Sequence, residues 1–289
     1  MDLIAKWIIE IFFAPSIKNL LDQFEEFFRE SMRAIETEVG ASPYEFSSTM
    51  VSILRTVSTD VVAPAAGVLL TYLFCYEIIS LAMEKNNMVE FELSQLFWVV
   101  VRTAVAILLV NSSFDIAIAM IEFGSDLADK TIGSGAGSLF LSLPELGDAV
   151  VDSIGDDVGQ AIFCFILSTL AWLASFFALA AIYLVVWSRL VMIMIYVSIA
   201  PLPFSTLMSK TWLGQIGQNY LKNLMSYALQ GMLMVVCVLV YGSLGSMLES
   251  KIISQPPGQA IILMVSSMYC CVLALMGCHK LAKSIFAAS

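Results

Sequence analysis

Ionisable side chains are scarce along most of this sequence, so those standing inside apolar stretches are the first candidates for chemistry. Glu77, Arg102, Asn111 and Asp115 lie in runs otherwise built from leucine, isoleucine, valine, alanine and aromatic residues. An ionised group at the centre of a bilayer costs about 3 kcal/mol, so such residues are functional candidates by default. Glu77 and Arg102 have opposite charges and could neutralise each other across a hairpin. A proton or ion relay would need several such groups at one depth. The competing reading is that Glu77, Arg102 and Asp115 lie near the ends of their apolar runs and reach the interface.

A second group lies in SRLVMIMIYVSIAPLPFSTLMSKTW, residues 188–212. Arg189 opens this segment, and Lys210 and Trp212 close it as interface anchors. Pro201 and Pro203 each remove a backbone donor. In an apolar medium the carbonyls they free must find partners in neighbouring helices or water. The expectation is a kinked helix, which is either a packing device or a functional break.

Little else suggests reactivity. The cysteines Cys75, Cys164, Cys237, Cys270, Cys271 and Cys278 all fall in apolar segments and none has CxxC spacing. They read as packed or lipid-facing side chains, with neither a disulfide nor a zinc site expected. The one histidine, His279, sits beside Lys280 at the end of the last apolar run and reads as interfacial. No GxSxG, HExxH, P-loop or strand-linked GxGxxG pattern occurs. The chain therefore reads as a non-enzyme that needs no cofactor and no metal.

The elements that must position these residues are membrane helices. Hydrophobic residues make up 59% of the 289 and charged residues 13%, against about half and a quarter in soluble domains. The mean hydropathy of +0.87 excludes an ordinary soluble enzyme. A net charge of -10 argues against a surface that grips nucleic acid by its phosphates. The expected class is an all-α integral membrane protein of about six transmembrane helices, preceded by amphipathic helices. The spans fall at about 61–83, 96–121, 160–187, 189–208, 223–248 and 259–279, each long enough for a core of about 30 Å. Only Trp187-Ser188-Arg189 separates the third from the fourth, with no glycine or proline. Either the chain makes a very tight hairpin there, or one long helix runs on.

Four regions follow: an amphipathic region over 1–59, a first hairpin over 60–121, a polar acidic connection over 122–159, and a cluster of spans over 160–289. In the first, Ile17, Leu20, Leu21, Phe24, Phe27, Phe28, Ile35 and Val39 mark an apolar stripe, opposed by Asp22, Glu25, Glu26, Arg29, Glu30, Arg33 and Glu36. Anionic lipid would repel that acidic face, so residues 17–39 are expected to contact other copies or partner subunits. In the connection, LPELGDAVVDSIGDDVG suggests a short helix. Spacings such as Ala174 and Ala178, or Gly242, Gly245 and Ser246, allow close helix packing within one chain or between copies. Counting lysines and arginines with six spans favours both termini inside.

The order of these parts, the run from Arg189 through Ser198-Ile199-Ala200-Pro201-Leu202, and the stretch WLGQIGQNYLKNLMSYALQ over 212–230 carry a resemblance. The chain resembles the TrbL-type polytopic membrane channel component of type IV secretion systems, in the short form found in Gram-positive conjugative elements. The resemblance covers most of residues 60–285. It implies a multi-pass protein of a bacterial cell membrane, in contact with the lipid bilayer, acting as a homo-oligomer. The implied partners are other secretion-system subunits, cytoplasmic ATPases among them, with DNA or protein passing only in transit and no stable nucleic-acid binding. Some relatives are described with five spans, against the six counted here. The alternatives are a small-solute or ion transporter or channel, and a membrane-bound enzyme.

Overall fold

The structure is a computed structural model, and it describes residues 7, 9–40, 42–84, 93–133, 146–154, 157–209 and 213–286. Among these the regular structure is entirely helical. A π-helical turn at Ile9–Phe13 leads into α1 (Ala14–Gly40). Helix α2 (Pro43–Val57) runs through a second π-helical turn, Ser58–Val62, into α3 (Ala63–Glu84). Then come α4 (Leu93–Gly133), α5 (Leu146–Asp152), α6 (Val158–Ser198), α7 (Pro201–Thr206), α8 (Gly214–Ile253) and α9 (Pro257–Ile285).

Five segments are long and apolar enough to cross a membrane: Pro43–Met83, Gln95–Gly133, Val158–Ser198, Gly214–Leu244 and Pro257–Ile285. The protein is thus an all-α membrane protein. The count differs from the sequence expectation at one place. No turn forms at Trp187-Ser188-Arg189, and the expected third span continues into the fourth as α6, 41 residues long. Nothing there breaks a helix: all three residues accept helical dihedrals, and neither glycine nor proline supplies a turn. The remainder of the expected fourth span is α7, six residues and far too short to cross. Five crossings put the two termini on opposite faces, so termini on one side require a sixth.

The chain divides into two compact units. The first comprises Met1–Gly40, Leu127–Ser188 and Gly231–Lys280; the second comprises Ala41–Asp126, Arg189–Gln230 and Leu281–Ser289.

In the first unit, the apolar stripe of α1 is buried. Ile17, Leu21, Phe24, Phe28, Ile35 and Val39 pack in one core with Cys164, Ala178, Ile182, Met234, Ile261, Met268 and Leu275. The contact that amphipathicity demanded is made inside the chain, where the sequence pointed to other copies or partner subunits. The acidic connection does hold a short helix, α5, and it packs against α1, where Lys18 forms an ion pair with Asp148. The GSGAG run lies outside the described residues from Ser134 onward. Across the same core the Tyr269 hydroxyl donates to the Ala174 carbonyl at 3.0 Å.

In the second unit, α2 begins with a capping box. The Ser42 N–H donates to Glu45 Oε2 at 2.8 Å, and the Glu45 N–H donates to Ser42 Oγ at 3.3 Å. The core gathers Val51, Ala66, Val110, Phe114, Ile118, Ile193, Val197, Phe204, Tyr220 and Leu224. Two glycines set how closely its helices approach. A Cβ on Gly124 of α4 would lie 2.7 Å from the Ala228 carbonyl carbon of α8, and one on Gly217 would lie 2.6 Å from the Pro203 oxygen.

Those obstructions are backbone atoms, which cannot swing aside. We expect Gly124→Ala to lower stability by about 1–3 kcal/mol, the usual cost of overpacking. Gly67 of α3 has open space around it. Gly67→Ala should be neutral or stabilise by up to about 1 kcal/mol through helix propensity. Thermal unfolding of both variants in mild detergent checks the contrast, which fails if Gly124→Ala melts with the parent.

Candidate functional site

Helix α6 carries Arg189 into the core of the second unit. Its side chain is 6% exposed. One guanidinium nitrogen, Nη2, donates to the Tyr227 carbonyl at the long distance of 3.5 Å, and Nε has no partner. Among the described residues no carboxylate forms an ion pair with it. The facing part of α8 is itself polar: Ser226 and Gln230 are buried and Asn223 is half-buried. Ser226 Oγ and Asn223 Oδ1 have no hydrogen-bond partner.

Aromatic side chains fasten α6 to α8 beside this arginine. Tyr220 donates its hydroxyl to the Tyr196 carbonyl at 2.8 Å, and the two rings lie 5.9 Å apart. Tyr227 packs on Tyr196 at 5.0 Å, and Phe204 meets Tyr220 edge-on at 5.9 Å. Each such contact adds about 0.5–1.5 kcal/mol beyond area burial.

Pro201 and Pro203 sit where the helix breaks, and the carbonyls they free are satisfied locally. The Val197 carbonyl, which would have bonded an N–H at position 201, accepts from Ala200 at 3.3 Å. The Ile199 carbonyl, which would have bonded one at 203, accepts from Leu202 at 3.2 Å. The sequence pointed to neighbouring helices or water for these groups. Tightening to three-residue bonds removes that need, as it does at ordinary helix ends. Lys210 and Trp212 lie outside the described residues.

The remaining candidates separate into two places. Glu77 of α3 and Arg102 of α4 line one cavity of about 20 Å³, with Ser205 and Ser209 beside them. That is room for about one water molecule. Asn111 and Asp115 are on the exposed side of α4. Asp115 forms an ion pair with Arg55 of α2, whose guanidinium also donates to the Tyr44 hydroxyl at 3.3 Å and lies 5.1 Å from the Phe114 ring centre. Sequence reading missed Arg55 and Tyr44 as site residues. The partners are 60 residues apart, and no local spacing links them.

In the first unit, α1 and Asp148 border an open cavity of about 740 Å³ carrying both signs of charge, Asp22, Glu26 and Glu30 against Lys18, Arg29 and Arg33. Among the described residues no three metal-ligating side chains converge. What these groups do is hold helices and set charge, which are the tasks of a positioning framework.

Two outcomes follow from this geometry. A buried arginine without a carboxylate is a net cost to folding. Arg189→Met, similar in volume, should hold or raise the melting temperature in detergent; a fall of several degrees would show that the cation stabilises the fold. The Arg55 and Asp115 side chains are 47% and 62% exposed. A double-mutant cycle with Arg55→Ala and Asp115→Ala should therefore give a coupling of about 0.2–1 kcal/mol in detergent micelles, as for other exposed pairs.

The profile of the TrbL/VirB6 plasmid conjugal transfer like proteins matches residues 28–201, more than half of the chain. No curated protein and no solved structure matches it. The matched stretch starts within α1, earlier than residue 60, and ends at Pro201. It takes in Glu77, Arg102, Asn111, Asp115 and Arg189, and stops short of Trp212–Gln230. This chain belongs to the TrbL/VirB6 family of plasmid conjugal transfer proteins.

Proposed function

We propose that this protein is a multi-pass channel and scaffold subunit of a type IV secretion apparatus for conjugative DNA transfer. It works as one copy in an oligomeric assembly within a bacterial cell membrane. Its neighbours are other secretion subunits, cytoplasmic ATPases among them, and DNA or protein meets it only in transit. Its role is architectural, not enzymatic. The single observation that carries this reading is the family match over 28–201, which includes every polar candidate in α3 and α4 and the buried Arg189. With five crossings, the N-terminal helix α1, bearing Lys18, Arg29 and Arg33, takes the cytoplasmic side.

The solute-transporter reading has weaker support. The cavity shared by Glu77 and Arg102 holds about 20 Å³, space for water but not for a solute. No buried row of ionisable groups follows from it.

Size-exclusion chromatography with mass measurement in mild detergent tests the proposal. The expected species is several copies of the chain, retaining other transfer subunits when purified from a cell that carries the whole apparatus. Deleting the gene should abolish transfer, and supplying it in trans should restore it. A strict monomer that binds no other transfer subunit, or unchanged transfer after deletion, would sink the idea.

A further inference from the structure

Charge divides the helices into two kinds. Helix α6 has no Asp, Glu, Lys, Arg or His over its first 31 residues, 158–188, and α8 has none over the 26 residues 223–248. Either stretch covers a hydrocarbon core of about 30 Å with length to spare. The longest uncharged run in α4 is Thr103 to Phe114, twelve residues. At 1.5 Å per residue it covers about 18 Å, so no placement of α4 in a bilayer keeps all its charges out.

The direction these groups face is the second observation. The buried side of α4 carries no charge: Val110, Phe114, Ala117, Ile118 and Ile121, with the serines Ser113 and Ser125. Its exposed side carries Asn111, Ser112, Asp115, Ala119 and Asp126, with Glu122 half-buried among them and the exposed apolar Leu108 and Phe123 on the same side. Spacings of three and four put these on one face. Beside it, α2 and the turn after it expose Ser52, Arg55, Thr56 and Thr59, joined to the stripe by the Arg55–Asp115 ion pair. A helix surrounded by lipid carries its polar side chains inward. Here they point outward from the chain, so lipid is not what covers them.

We infer that this polar stripe, Asn111, Ser112, Asp115, Ala119, Glu122 and Asp126 of α4 with Arg55 of α2, faces a water-filled passage inside the assembled apparatus. The inference rests on the oligomeric reading above and adds which face of each copy is wet. Water, not a second stripe, is its occupant. Two copies meeting through this face would bring Glu122 and Asp126 against their own equivalents, a like-charge contact. The same carboxylates keep the wall from holding an anionic polymer, which suits passage better than binding.

Cysteine accessibility tests it in the full-length chain within membranes that carry the whole apparatus. The six native cysteines are first replaced by alanine, and Ser112→Cys is introduced. The lipid-facing control is Phe177→Cys, 66% exposed near the middle of the uncharged run of α6. A charged, membrane-impermeant methanethiosulfonate should label Ser112→Cys at least tenfold faster than Phe177→Cys. Asn111→Cys and Ala119→Cys should share the fast rate, and Ala117→Cys on the buried side should not, so one poorly folding variant does not decide the result. Equal rates at Ser112→Cys and Phe177→Cys in a chain that is oligomeric by mass would overturn this inference alone. Protection of Ser112→Cys together with a disulfide between copies would also overturn it, since the stripe would then be packed between subunits. A monomeric chain would remove the oligomeric reading, and this inference with it.

Discussion

A hydrocarbon interior offers no hydrogen-bond partner, so each backbone N–H and C=O within it must be satisfied by the chain itself. The course of α6 follows from that demand. A tight hairpin at Trp187-Ser188-Arg189 would interrupt the helical ladder where no glycine or proline favours a turn, whereas continuing the helix keeps it intact. The helix therefore runs to Ser198. It ends where Pro201 and Pro203 take away two donors, and there the last turn tightens so that Ala200 and Leu202 supply replacements. Proline sets the stopping point, and three-residue hydrogen bonds satisfy the Val197 and Ile199 carbonyls that the two prolines free.

Within the second unit, close approach does the rest. Gly124 allows α4 to lie against the backbone of Ala228, and Gly217 allows the start of α8 to lie against Pro203. Without a hydrophobic drive between helices in lipid, such contacts and the aromatic set Tyr196, Tyr220 and Tyr227 supply much of the attraction. Arg189 is buried in this unit, and among the described residues the Tyr227 carbonyl is the one acceptor for its guanidinium.

Much of this was legible beforehand. Apolar periodicity marked an α1 stripe of eight residues, of which six are buried and Leu20 and Phe27 are half-buried at its edge, because a 3.6-residue period reports which side needs cover. It did not report what covers it, since a helix face looks the same whether its partner is in this chain or another. The count of about six took the hairpin of the two alternatives left open at 187–189, and the chain takes the other, one long helix. The missing glycine or proline was the better signal, and it pointed to one continuous helix. The site was legible in part. Glu77, Arg102, Asn111 and Asp115 stood out as polar residues in apolar runs, yet the Arg55–Asp115 pair joins positions 60 apart and has no local pattern. Gly124 was equally silent, for a glycine inside a helix has no distinguishing neighbours until its contact is known.

Arg189 shows how a charge can be placed by packing and not by lipid depth. Thirty-one uncharged residues precede it in α6, and about 20 are enough to cross. The apolar part of the helix can therefore finish before Arg189 is reached, and lipid does not force that side chain into the protein. A long arginine at such a position would ordinarily extend to the interface and keep its hydration. Here it is 6% exposed, held against the Tyr227 carbonyl with Nε unpartnered. Surrender of that hydration has to be offset by the contacts between α6 and α8: the tyrosine rings and the Tyr220 hydrogen bond. Dehydration of the cation works against that packing, so the burial of Arg189 is a cost that the tyrosine contacts between α6 and α8 have to carry.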